Sequence, residues 1–169
     1  KKIANLACDM EMKNLKRNSG KQDAFISVYG GIQEIKIDKK GEVTVNKLKI
    51  SNDKLRKLNR SHLSYFTGQT RYSDTVLNSQ KQNFKKENFK RKIMKKMVEL
   101  TKDTKKYLIS GNIKKLGEIF HKHWMYKKNL SSLMSNRKID KIYSYAMKNG
   151  AYGGKLVGAG GGGFLIFIV

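Results

Sequence analysis

The chain closes on GGKLVGAGGGGFLIFIV, with glycine at five of the six positions 158–163 and an apolar run directly after them. Glycine loses more conformational freedom on ordering than any other residue, so a dense run beside a strand needs a backbone reason. Three reasons are open: a flexible tail, a crowded β-junction that no Cβ could enter, or a loop whose main chain must be approached closely. KLV before the run and FLIFIV after it both read as strand, which removes the tail. A strand–loop–strand unit remains, with amides unobstructed by side chains. Such a loop either fills a tight junction, approaches a phosphate, or packs against a neighbouring phosphate loop. Gly158, Gly160 and Gly163 satisfy G-x-G-x-x-G, but the dinucleotide fingerprint must lead into a helix, and this run leads into FLIFIV. The G-K-[ST] ending of a Walker loop is absent at the required offset.

A chain that ends in a strand pair must supply helices to cover it. Ile3, Leu6, Ala7 and Met10 follow helical spacing from residue 2 to about 16, where Asn18-Ser19-Gly20 breaks the pattern. Residues 22–29 are short and mixed, and Gly30-Gly31 ends them. Ile35 and Ile37, then Val43 and Val45, alternate around DKKGE and predict a hairpin. LSYFTG at 63–68 reads as a further strand. Three helices follow: one from 83 to about 108 on Phe89, Ile93, Met97, Leu100, Thr104 and Tyr107; one on Ile113, Leu116, Phe120, Trp124 and Leu130; and one on Ile139, Ile142, Tyr143, Ala146 and Met147, stopped at Asn149-Gly150. The methionines on these faces are core filler. The fold class is α+β, antiparallel strands with helices segregated to one face.

Composition excludes several classes. Hydrophobic residues at 38%, with eight tyrosines, seven phenylalanines and a tryptophan, exclude wholesale disorder. No apolar run has the length of a membrane span, and the N-terminus has no secretory cleavage pattern, so no membrane partner is expected. Cys8 is the single cysteine, which excludes an intramolecular disulfide and fits a reducing, cytoplasmic setting. The net charge of +24 fits either a nucleic-acid binder or a lysine-rich solvated surface. Lysine outnumbers arginine and is spread over the whole chain, which favours the second reading. A basic nucleic-acid-associated module remains the alternative.

Two further stretches can carry chemistry. In SGKQDAFISVYGG, Asp23 follows a glycine turn and precedes a partly apolar segment that would fix it. It is either a positioned carboxylate able to take a proton from a substrate hydroxyl or a helix N-cap. Lys21 would hold Asp23 ionised or contact a substrate anion. In YFTGQTRYSDT, Thr70, Arg71 and Ser73 stand between a strand end and a helix start, a favourable anion site or simply a capped helix with a surface arginine. His121 and His123 lack the i, i+4 spacing of a helical metal pair and His62 is alone, so no metal site is expected.

Together these stretches resemble the C-terminal part of the GHMP kinases, the family of galacto-, homoserine, mevalonate and phosphomevalonate kinases. GAYGGKLVGAGGGGFLIFIV is similar to that family's glycine-rich third motif, GKQDAFISVYGG to the segment bearing its catalytic Asp, and FTGQTRYSDT to its strand-to-helix turn. The resemblance covers nearly the whole chain. It implies that residues 1–50 are the end of an N-terminal, ribosomal S5-like kinase domain. Residues 51–169 would be a C-terminal domain with a ferredoxin-like antiparallel sheet, truncated at its end. It also implies ATP-dependent phosphoryl transfer to a sugar hydroxyl, with the anomeric oxygen of a heptose 7-phosphate as acceptor, on the way to nucleotide-activated heptose for surface polysaccharide. Another sugar is the alternative acceptor. Asp23 would be catalytic; Lys21, Gln22, Thr70 and Arg71 would bind substrate; and Gly158, Gly160, Gly161, Gly162 and Gly163 would support the nucleotide phosphates. ATP and Mg²⁺ are the implied cofactors, sugar phosphate and ATP the implied partners, and a homodimer stays open.

Departures accompany the resemblance. The family's nucleotide loop and the Ser and Glu that hold Mg²⁺ have no counterpart in this sequence, and Ala24 stands where members often carry Gln. The chain therefore reads as a fragment that alone phosphorylates nothing.

Overall fold

The computed structural model describes residues 1–70, 73–86 and 88–169, with the backbone alone at 73, 74, 81 and 84–86. Its contacts divide into two units, Lys1–Lys49 and Ile50–Val169. In the first, helix α1 (Lys2–Asp9) runs into a π-helical turn (Met10–Asn14), followed by α2 (Gln22–Tyr29) and the antiparallel hairpin β1 (Gln33–Ile37) and β2 (Val43–Lys47). Ile35 stands opposite Val45 and Ile37 opposite Val43, the pairing that the alternation predicts. The Asp38 carboxylate closes the turn by accepting from the Lys40 and Glu42 amides, both at 2.8 Å. Ala4, Cys8, Phe25 and Val43 form this unit's core. Segment 22–29, mixed as sequence, is a helix: only Phe25 is fully buried, so no apolar stripe announces it.

The second unit runs α3 (Asn52–Arg60), β3 (His62–Phe66), α4 (Ser73–Lys86), α5 (Asn88–Ser110), α6 (Ile113–Lys128), a 3₁₀ turn (Ser132–Met134), α7 (Arg137–Lys148), β4 (Gly153–Leu156) and β5 (Phe164–Ile168). The strands form one antiparallel sheet in the order β3-β5-β4. One core cluster gathers Trp124, Ile139, Tyr143, Ala151, Leu156, Leu165 and Phe167. Another gathers Ile113, Leu116 and Ile168 with Leu58, Tyr107 and Phe120 against them. Neighbouring Phe167 and Ile168 thus serve different clusters, as a strand's alternation requires. The anticipated helices are α5, α6 and α7, although α5 begins at Asn88 rather than near 83. Helix α3 escaped the periodicity reading because NDKLRKLNR carries only Leu55 and Leu58 as apolar residues.

Helix α6 lies against β4 at a separation only glycine permits. A Cβ on Gly153 would stand 1.9 Å from the Gly117 carbonyl oxygen, and one on Gly117 would stand 2.6 Å from the Tyr152 Cβ. β4 is one of the sheet's two edge strands. Because the Val157 amide bonds the Phe164 carbonyl, the Gly154 and Leu156 carbonyls face away from β5. Both are covered: the Tyr143 hydroxyl donates to Gly154 (3.2 Å) and the Lys127 ammonium to Leu156 (3.3 Å). No helix among the described residues is long and apolar enough to cross a membrane.

Candidate functional site

The loop between β4 and β5 is anchored at three points. At its start, Gly158 (φ 68°) offers its carbonyl to the Lys127 ammonium at 2.6 Å. In the middle, the Gly161 amide donates to the Met134 carbonyl at 2.8 Å, across the 3₁₀ turn. At its end, the Gly163 carbonyl accepts from both the amide (2.9 Å) and the hydroxyl (2.8 Å) of Thr67, and the Gly163 amide donates to Gln69 O at 2.8 Å.

The buried polar side chains of the described residues are Thr67, Lys127 and Ser131. Each serves this loop. Thr67 and Lys127 bond its two ends. The Ser131 hydroxyl accepts from the Leu133 amide at 3.1 Å, shaping the turn that presents Met134. A buried polar group costs stability unless bonded, so three such groups spent on one loop mark it as a built element. A Cβ on Gly162 would come within 2.9 Å of Gln69 O, so the floor of the loop admits no side chain there. The crowded-junction reading therefore accounts for Gly162. It does not account for Gly158 and Gly163, which face open space. Among the described residues no hydrogen bond takes up the amides of Gly158, Ala159 or Gly162, leaving donors at the loop surface.

The surroundings are basic. His123, one turn before Lys127 on α6, is pushed down to about 3 by burial and by Lys155 and Lys127, so the imidazole is neutral. Its Nδ1 is buried without a partner among the described residues. Burial lowers Lys155, whose ammonium lies 5.1 Å from the centre of the Phe120 ring. Burial also raises Tyr143 to about 12, and His121 Nδ1 is 2.8 Å from its hydroxyl.

The other anticipated residues divide between the two units. Asp23 stands in the first turn of α2 and is exposed. The N-cap position is Lys21 and has no side-chain cap, so Asp23 is not the N-cap residue. The carboxylate makes no ion pair or side-chain hydrogen bond among the described residues, and Ser27 Oγ donates to the Asp23 backbone carbonyl at 2.8 Å. Lys21 donates to the Gly41 carbonyl at 2.5 Å, tying the start of α2 to the hairpin tip. Gln22 is exposed at the first helical position. In the second unit Thr70 is exposed and directly follows the 67–69 segment that holds the glycine loop. Arg71 lies outside the described residues. Sequence reasoning missed Lys127, Thr67, Ser131 and Gly117. A lysine in so lysine-rich a chain carries no signal, and only Gly117, a glycine inside the 113–128 helical pattern, was a readable clue.

Comparison with known proteins bears on the family and the fold. Residues 104–169 match the family described as GHMP kinases C terminal. The chain is 33% identical, over 170 aligned residues, to a D-glycero-alpha-D-manno-heptose 7-phosphate kinase from Campylobacter jejuni, covering 99% of this chain and 49% of that protein. It superimposes on a D-glycero-D-manno-heptose 1-phosphate kinase from Bacteriodes thetaiotaomicron with TM-score 0.64 and 25% identity, over 98% of this chain and 43% of that one. The fold also matches the mevalonate kinase of L. major, with TM-score 0.72 at 18% identity over 90% of this chain and 45% of that one. The chain thus spans about half the length of the kinases it matches.

Proposed function

We propose that this chain, whose residues 104–169 match the GHMP kinases C terminal family, works in ATP-dependent phosphorylation of a sugar hydroxyl. The acceptor we assign is the anomeric hydroxyl of a heptose 7-phosphate. The observation that carries the reading is the glycine loop: its ends and centre are tied down, and it keeps unbonded amides at its surface. Similarity along 99% of the chain to a heptose 7-phosphate kinase supports the choice of acceptor.

Phosphoryl transfer demands positioning and charge stabilisation more than covalent help from the protein. The loop supports both, because fixed amides aimed at developing negative charge need no reorganisation when it appears. ATP supplies the transferred group when bound, and the loop from Gly158 to Gly163 would face its phosphates. Asp23 accepts the proton of the sugar hydroxyl as that oxygen attacks phosphorus. Gln22, Thr70 and Arg71 orient the sugar phosphate. Lys21 fixes the Asp23 turn through Gly41 and keeps two donors for an anion. Among the described residues no group of three or more His, Cys, Asp and Glu side chains is gathered for a metal.

The test is a chimera in which residues 1–169 replace the matching half of the Campylobacter kinase. With radiolabelled ATP and a panel of sugars, label is expected in heptose 7-phosphate, on the anomeric position. A folded chimera that labels galactose or mevalonate in its place would overturn the acceptor assignment, and one that labels nothing would overturn the kinase reading.

A further inference from the structure

Lys127 follows Tyr126 and precedes Lys128 in α6, and the two adjacent lysines have different fates. Lys128 reaches Asp140 at 3.4 Å and lies 5.8 Å from the centre of the Trp124 ring. Lys127 is turned inward, only 8% exposed, and gives two hydrogen bonds to main-chain carbonyls at the start of the glycine loop: Leu156 at 3.3 Å and Gly158 at 2.6 Å.

A buried ammonium must spend its protons on partners, and two of the bonds made by Lys127 go to the start of the glycine loop. Each bond acts on a planar trans peptide, in which C=O and the following N–H point in opposite directions. One peptide shows the effect directly. The Leu156 carbonyl faces Lys127, and the Val157 amide on its other side bonds the Phe164 carbonyl at 2.9 Å. In the next such peptide the Gly158 carbonyl faces Lys127, and the Ala159 amide is directed away into the loop. No hydrogen bond takes up that amide among the described residues. The cation also polarises the peptide, making its N–H a stronger donor.

We propose that Lys127 is a positioning residue of the glycine loop, aiming and polarising the Ala159 amide toward a phosphate oxygen of the nucleotide. The proposal rests on the kinase reading above. It gives the buried cation a role beyond covering a strand edge, because an edge could be covered by the neutral donor of a residue such as Tyr143.

The experiment titrates ¹⁵N-labelled residues 1–169 with inorganic triphosphate at constant ionic strength and follows each amide. In the wild type the Ala159 amide is expected to shift most among loop amides, saturably. Lys127→Met keeps the apolar stem and removes the charge. Its triphosphate affinity should fall about tenfold, the scale of one charge-assisted hydrogen bond, with the Ala159 response lost. Lys127→Arg should restore the affinity to within about threefold, a rescue that plain edge covering by a neutral donor does not predict. Its spectrum also keeps the test alive if the methionine variant does not fold. A folded Lys127→Met that binds and shifts like the wild type, or a folded Lys127→Arg that has lost the response, would overturn the role of Lys127 and leave the kinase reading standing. A wild-type loop that ignores triphosphate would overturn the phosphate-facing reading itself.

Discussion

At the scale of single residues, the glycines do three different jobs, and substitution should separate them. Gly153→Ala places a methyl 1.9 Å from the Gly117 carbonyl oxygen, and only displacement of α6 from β4 relieves it. The expected loss is about 3 kcal/mol or more, read from urea denaturation. Gly162→Ala meets Gln69 O at 2.9 Å and should cost about 1–3 kcal/mol. Gly158→Ala meets nothing within 4 Å but keeps a φ of 68°, so about 1 kcal/mol is expected from backbone strain alone. Equal losses at Gly158 and Gly162 would mean the run is a uniform spacer. The run's importance was readable in sequence, because four glycines against a strand have no cheap explanation. The allocation of jobs was not, since it depends on what α6 and the 67–69 segment bring close.

At the scale of the element, α6 carries a titration. His123 is neutral in the fold with its acid dissociation near pH 3, whereas in the unfolded chain it protonates around 6.5. Below about pH 6.5 the unfolded chain takes up a proton that the folded chain refuses, so stability is lost as pH falls from there toward 3. This group alone contributes a slope of up to about 1.4 kcal/mol per pH unit in that window. Urea midpoints measured from pH 7 to pH 4 should fall more steeply for the wild type than for His123→Leu. Parallel curves would place His123 in solvent. The helices that the sequence announced, α5, α6 and α7, bury clear stripes. The ones it hid, α2 and α3, either bury a single aromatic or lie almost wholly exposed, and a polar helix looks like a loop to any periodicity argument.

At the scale of the whole molecule, charge and site belong to different accounts. The net charge of +24 predicts binding to generic DNA at low salt. A salt titration should show that binding collapsing before about 150 mM, the Debye screening range in which scattered lysines lose their reach. Retention there would revive the nucleic-acid reading. The candidate residues are legible in their motifs but not in their supports: Asp23, Lys21 and Gln22 belong to one unit, and the glycine loop with Thr70 belongs to the other. No spacing in the sequence says how such pieces are supported. The supports, Lys127, Thr67 and Ser131, are ordinary residues that burial alone makes distinctive.

The most direct measurement of the central claim is kcat and ATP affinity for Asp23→Asn in the chimera. Loss of the proton acceptor should lower kcat by about 10²–10⁴-fold while the ATP dissociation constant stays within about twofold. A kcat within a few-fold of the parent chimera, in a folded variant, would contradict the account and leave Asp23 as one more exposed residue in the first turn of α2.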